Sequence, residues 1–328
     1  MQRYFAWQRC LAAALALITL PMIAEAESRV VRLAFVHPQT PVTATRGLDA
    51  FWKRLKDLGY VEGQNLLVEA RWGEGRAERL PALMNDVVAR KVDVLVTYST
   101  QGALAAKNAT STIPIVGVGM GEPLRTGLAT NLPHPEGNLT GLSGGLAQGI
   151  AGKRLELLHE AVPRLATVTM IGNPGSPIAR EMAKELQTMA PSRGLKLQFI
   201  EVREAGSLDR AFQEAKRRGQ AALVLTDAMM SANIERVTVL AAKNRVPTMY
   251  YLRDFVDVGG LMAYAPDYSM QWRRAAEYVD KIVKGAKPAE LPIEQPTQYF
   301  LVVNLKAARA LGLKIPESIL LRADEVIR

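Results

Sequence analysis

Cysteine is almost absent. The 328 residues hold one, Cys10, directly before the first apolar stretch. A chain with a single thiol cannot close an internal disulfide, so stability must come from apolar burial. Histidine is scarce as well: His37, His134 and His159 are far apart, and no His, Asp and Glu spacing suggests a metal site. The sequence has no Gly-x-Ser-x-Gly elbow, no Walker A loop and no clean dinucleotide fingerprint. Gly117-Val118-Gly119-Met120-Gly121 is glycine-rich, but Glu122-Pro123 follows where a dinucleotide site needs a helix already begun. Gly119 therefore reads as a close-approach turn at a strand end. Runs of five or more like charges are missing too. The net charge is +9, from 41 basic and 32 acidic residues interspersed on apparent helix faces. That pattern is a solvated surface rather than a nucleic-acid face. These absences leave no catalytic set and no cofactor to expect.

What is present begins at the N-terminus. Arg3 and Arg9 precede an almost unbroken apolar run, Leu11 to Leu20, which Pro21 breaks before Ala24-Glu25-Ala26. This is the layout of a secretory signal cut after Ala26. The run is shorter than the roughly 20 residues of a membrane span, which makes a retained anchor the weaker alternative. No leucine or small residues precede Cys10, so a lipid anchor there does not fit. The expected location is the periplasm, and the mature chain keeps a net charge of about +8.

Behind the signal, strand-like and helix-like segments alternate. Val30 to Val36, Leu66 to Trp72, Val92 to Thr97 and Ile113 to Val118 read as strands. Thr45 to Leu58, Arg79 to Arg90 and Ala103 to Asn108 read as helices between them. Asn131 to Gly145 is rich in Gly, Pro and Asn and reads as a soft boundary. The rhythm then restarts at Lys153 and runs to a helix over Met270 to Lys284. A Pro-rich stretch follows, and Tyr299 to Arg328 reads as a strand and two helices. Continuous apolar strands suit parallel sheets covered on both faces. The fold class is α/β, with two doubly wound parallel-sheet lobes joined by a hinge. Lobe 1 takes residues 27–143 plus about 266–296, and lobe 2 takes 144–265 plus about 297–328. A single continuous sheet would need some ten parallel strands and is the alternative.

Ligands of open α/β sheets sit beyond the carboxyl ends of the strands, so the cleft between the lobes is the expected site. The loops there carry small polar groups: Gln39 after the first strand, then Ser99, Thr100 and Gln101 before a helix, and Asn173 and Asp227 in the second half. Ser99, Thr100, Asn173 and Asp227 equally fit plain helix caps. Tyr251 and Tyr264 belong to a late tyrosine cluster, and suit either a cleft wall or the core.

Several stretches carry a family resemblance. They are Leu58-Gly59-Tyr60-Val61-Glu62-Gly63-Gln64-Asn65, Ser111-Thr112-Ile113-Pro114-Ile115-Val116 and Pro135-Glu136-Gly137-Asn138-Leu139-Thr140-Gly141. Further along stand Gly152-Lys153-Arg154-Leu155-Glu156-Leu157-Leu158, Lys284-Gly285-Ala286-Lys287-Pro288-Ala289 and Asn304-Leu305-Lys306-Ala307-Ala308. In this order they resemble the ABC-transporter substrate-binding proteins described as tryptophan/tyrosine transport components. The resemblance implies a type I periplasmic-binding fold, an amino-acid-like solute, an ABC permease of the inner membrane as partner, and a monomer. It places ligand contacts at Ser99 to Gln101, Asn173, Asp227 and Asp267. Two positions depart from that pattern: Ala228 stands where an Asn is expected, and Gln271 near where a Gly is expected. A sensory receptor for a membrane signalling partner, or an exported hydrolase using Asp227, are the competing expectations.

Overall fold

A computed structural model describes residues 30–144 and 149–328. The signal expected over residues 1–26, its cut after Ala26, and Gly145 of the expected boundary lie outside the described residues.

The first half runs β1 (Val31–His37), α1 (Pro41–Asp57), β2 (Leu66–Trp72), α2 (Leu80–Ala89), β3 (Val94–Tyr98), α3 (Ser99–Ala109), β4 (Ile115–Met120) and β5 (Leu139–Ser143). The second half opens with α4 (Ile150–Ala161), β6 (Thr167–Gly172), α5 (Pro177–Met189), β7 (Lys196–Glu201), α6 (Leu208–Arg218), β8 (Ala221–Val224), α7 (Ala228–Ala232) and α8 (Ile234–Lys243). It continues with β9 (Thr248–Tyr250), α9 (Arg253–Asp257), β10 (Met262–Ala265), α10 (Tyr268–Val283), β11 (Ile293–Glu294), β12 (Phe300–Asn304), α11 (Leu305–Leu311), α12 (Glu317–Arg322) and β13 (Glu325–Ile327).

Among the described residues these strands form two sheets, ordered β11-β5-β4-β3-β1-β2 and β13-β12-β10-β9-β8-β6-β7. Helices cover both faces of each, which is why the central strands are apolar on both sides. In lobe 1, Phe35, Phe51, Trp272 and Val279 pack between the sheet and the α1–α10 pair. Val36, Leu95, Met84 and Ala103 fill the opposite face under α2 and α3. Lobe 2 repeats the plan, with Leu155, Met170 and Leu186 on one face and Phe212, Val237 and Tyr251 on the other. Each fully buried side chain of this size contributes about 1.5–3 kcal/mol, and these four clusters stand in for the missing disulfides.

The chain passes between the sheets three times. It leaves lobe 1 after β5, returns at Pro266 and Asp267 into α10, and leaves again between β11 and β12. α10 belongs to lobe 1 because its Trp272, Ala275, Ala276 and Val279 face α1 and the first sheet. Asp267 starts it by accepting from the Ser269 and Met270 N–H groups.

Three readings of the sequence need correction. The glycine-rich stretch expected as a boundary contains β5, buried along its whole length. Its Gly141 has φ 131°, and a Cβ there would stand 2.0 Å from the Gly117 carbonyl oxygen of β4. The glycine that mimics a linker is what lets two strands pair closely. The second sheet is not wholly parallel, since β12 runs antiparallel to β10. The chain ends in strand β13 rather than a helix. At the start of α3, Ser99 is left-handed rather than helical and its Oγ accepts from the Gly102 N–H, the side-chain contact expected of a cap, while Tyr98 before it makes none.

Candidate functional site

The strand ends of the two sheets face each other, and the lobes stand closed on one another. Arg125 of lobe 1 forms an ion pair with Glu181 of lobe 2. A Cβ on Gly75 of lobe 1 would reach within 2.7 Å of the Ala232 Cβ in lobe 2. Between these contacts the interface divides into two compartments.

The first is a polar recess of about 20 Å³, lined by Ser99, Thr100, Gln101, Gly119, Ser176, Thr226 and Asp227. Roughly 10–15 Å³ accommodates one water, so in this closed form the recess has no room for a solute. Five residues expected at the site meet here because β3, β4 and β8 all end at this level. Ser99 holds φ 70°, a left-handed conformation that is unusual for serine, and its Oγ accepts from the Gly102 N–H at 3.3 Å. Thr100 Oγ1 accepts from the Gly121 N–H at 2.9 Å, fastening α3 to the end of β4. Gly119 has φ 65°, and a Cβ on it would fall 2.6 Å from Tyr98 Cε2.

Asp227 is 4% exposed. Its Oδ1 accepts from the Met229 N–H at 2.8 Å and its Oδ2 from Asn173 Nδ2 at 3.3 Å. Burial pushes its carboxyl upward, opposed by the Met229 and Met230 amides, by Asn173 and by Gln101 from the other lobe. Capping α7 and facing the cleft are thus compatible. Tyr251 lies behind it in the core, 1% exposed, and its hydroxyl donates to the Asp227 carbonyl at 2.9 Å.

The second compartment is a cavity of about 650 Å³, a size typical of small-ligand sites. Gln39 and Asp267 line it, away from the other expected residues. Its lobe 1 wall is aromatic. His37 stacks on Tyr98 at 4.9 Å, Trp272 stacks on Tyr98 at 5.8 Å, and Tyr268 stands edge-on to Tyr98 at 6.1 Å. Burial pushes the His37 imidazole down to about 3, and its Nδ1 accepts from the Gln39 N–H at 3.2 Å. The wall is therefore uncharged at neutral pH. Lobe 2 contributes Asp254, Asp257, Asp324 and Glu325, with Arg253 paired to Asp257 and Glu325. Tyr98 and Tyr268 border both compartments. The Tyr268 hydroxyl donates to the Gly144 carbonyl at 3.0 Å.

Tyr264 lines neither compartment, and stacks on Tyr299 at 5.6 Å. Sequence reasoning missed Tyr98 and Trp272, while Tyr268 is a member of the late tyrosine cluster read as suiting a cleft wall or the core. A partial signal existed, since Tyr98 ends an apolar strand and Tyr268 and Trp272 are one helical turn apart. The chemistry on offer is recognition, with aromatic faces opposite carboxylates. Among the described residues, no group of His, Cys, Asp or Glu side chains could hold a metal ion.

Comparison with known proteins fits this geometry. The family described as ABC transporter substrate binding protein matches residues 35–327. A tyrosine-binding protein of Clostridioides difficile is 23% identical over 264 residues, covering 80% of this chain and 76% of that protein. A conserved domain protein from Vibrio cholerae superposes with a TM-score of 0.85 and 27% identity, over 91% of this chain and 100% of that one. The ABC domain in complex with L-Trp from Streptococcus pneumonia gives 0.81 and 22% identity, over 90% and 100%.

Proposed function

The chain belongs to the ABC transporter substrate-binding protein family, and from that premise we propose that it is the extracytoplasmic receptor of an ABC importer for an amino-acid-like solute. The family is one of solute-binding proteins, not enzymes. The observation that carries the solute class is the 650 Å³ cavity, with His37, Tyr98 and Trp272 on one side and four carboxylates on the other. A ring stacks on the first wall and an ammonium group faces the second. The tyrosine-binding relative and the L-Trp-bound neighbour have ligands of this shape.

In this reading the three crossing segments are the hinge, and the lobe limits fall at residues 143–144, 265–266 and 296–297. Opening parts Arg125 from Glu181 and Gln101 from Asp227. It enlarges the polar recess so that Ser99, Thr100, Asn173 and Asp227 also reach the solute. Closing presents a joined surface to the inner-membrane permease. The mature protein works in the periplasm as a monomer, after removal of residues 1–26.

Differential scanning fluorimetry tests the reading directly. L-tyrosine, L-tryptophan or a related amino acid should raise the melting temperature, by about 2.7 kcal/mol of stabilisation at a hundredfold excess over Kd. No shift with any amino acid at millimolar concentration would overturn it.

A further inference from the structure

Arg154 sits in the second turn of α4 with 3% of its surface exposed. Its Nε donates to the Tyr264 carbonyl at 2.8 Å, while both terminal nitrogens are buried with no partner among the described residues. Burial pushes the guanidinium down to about 10, so it still carries its charge at neutral pH. A buried charge without a counter-ion is strongly unfavourable, and is normally compensated by an acid. Four tyrosines, Tyr268, Tyr299, Tyr251 and Tyr264, are among the groups that act on it electrostatically.

Their positions define where the guanidinium lies. Tyr264 closes β10 just before the crossing at Pro266, and Tyr299 sits on the crossing between β11 and β12. Tyr268 opens α10, holds the Gly144 carbonyl of the remaining crossing, and borders the aromatic cavity. Arg154 is therefore fixed to the segment entering the Pro266 crossing and acts on tyrosines of the other two, one of which, Tyr268, borders the cavity.

We propose that Arg154 is an anion site at this junction, and that it takes a carboxylate, gripped by the two unpartnered nitrogens. Resting on the solute reading above, the carboxylate is that of the solute, whose ring and ammonium occupy the aromatic and acidic walls. Displacement of the Tyr268 ring admits it. Two parallel N–H···O bonds from a guanidinium are the geometry a carboxylate accepts best. The site thereby links occupancy to the segments that move.

The test compares wild type, R154Q and R154K by calorimetric titration with L-tyrosine and tyramine, which keeps ring and amine but lacks the carboxylate. Wild type should bind L-tyrosine about 10- to 100-fold tighter than tyramine, the scale of one charged bidentate contact. R154Q should reduce that ratio to near one, and R154K, which keeps the charge but not the fork, should fall between. A ratio that survives in R154Q overturns the proposal. A second arm adds sodium formate, the carboxylate alone, and reads melting temperature against equal sodium chloride. Formate stabilising wild type but not R154Q supports the site even if neither amine binds, in which case the solute reading fails and the anion site stands. If neither amine binds, formate acting equally on both proteins, or on neither, overturns the site.

Discussion

The two lobes bring unlike chemistry to one cavity. Lobe 1 offers rings, His37, Tyr98 and Trp272, and its imidazole is kept neutral by burial. Lobe 2 offers charge: Asp254, Asp257, Arg253 and Glu325 on the facing wall, Asp227 in the recess and the buried Arg154. The division follows from packing. The rings of lobe 1 are the ends of its core, continuous with Phe35 and Phe51, so they can line a cavity only where the core reaches the strand ends. In lobe 2, backbone N–H groups hold Asp227 and Asp324, and Arg253 holds Asp257 and Glu325. Asp267 aside, lobe 1 therefore binds by shape and lobe 2 by charge, and a ligand that satisfies both must be amphipathic.

The comparison can be broken from the lobe 1 side first. Trp272→Ala removes a side chain that is 3% exposed and touches Phe35, His37, Phe51 and Tyr98. It should cost about 3–5 kcal/mol in urea unfolding and remove the ring wall with it. Acid should act on the same lobe. His37 is lowered from 6.5 to about 3 in the folded state, so its contribution is present above pH 6.5 and lost as pH falls towards 3. His37→Phe should flatten that part of the stability profile, measured by thermal melts from pH 7 to 3.

On the lobe 2 side the expected effect is on binding. Asp227→Asn keeps an acceptor for the Met229 N–H but removes the charge. It should weaken an amine-bearing solute by about 10- to 100-fold, corresponding to 1.5–3 kcal/mol for a charged hydrogen bond. Ligand-free stability should move the other way. Burial raises the folded carboxyl above its unfolded value, so its contribution is lost as pH rises through the folded value, and the Asn variant escapes that loss. An Asn variant that binds as well as wild type would mean the charge asymmetry is incidental.

Smaller effects sharpen the boundary between the two faces. Gly119→Ala forces a Cβ into Tyr98 at a left-handed backbone position, and should destabilise by about 1–3 kcal/mol while loosening the Tyr98–Tyr268 partition. Arg125→Ala breaks a half-exposed ion pair across the lobes. It should change solute affinity by less than about 1 kcal/mol and make it less sensitive to salt.

Much of this was legible in the sequence, for a physical reason. Parallel strands covered on both sides must be apolar throughout, so β1, β3 and β8 announce themselves, and the loops after them follow. β5 was hidden because its glycine serves close strand pairing and looks like a linker. The strand-end polar groups Ser99, Gln101 and Asp227 could be found because caps and ligand contacts use the same residue types. Trp272 could not, since a tryptophan at helical spacing is core in most of its contacts, as it is here. Arg154 was invisible, because one arginine on a leucine-rich helix reads as a solvated residue until packing buries it near tyrosine-bearing segments.

The central claim is capture of an amphipathic amino-acid-like solute, unchanged, between a ring-bearing lobe and a charged one. Mass spectrometry of the small molecules released when the purified protein is denatured tests it most directly. The account predicts a ring-bearing molecule with an amine and a carboxylate, recovered intact in near-stoichiometric amount after prolonged incubation. Release of a sugar, a lipid or a cleaved product would contradict it.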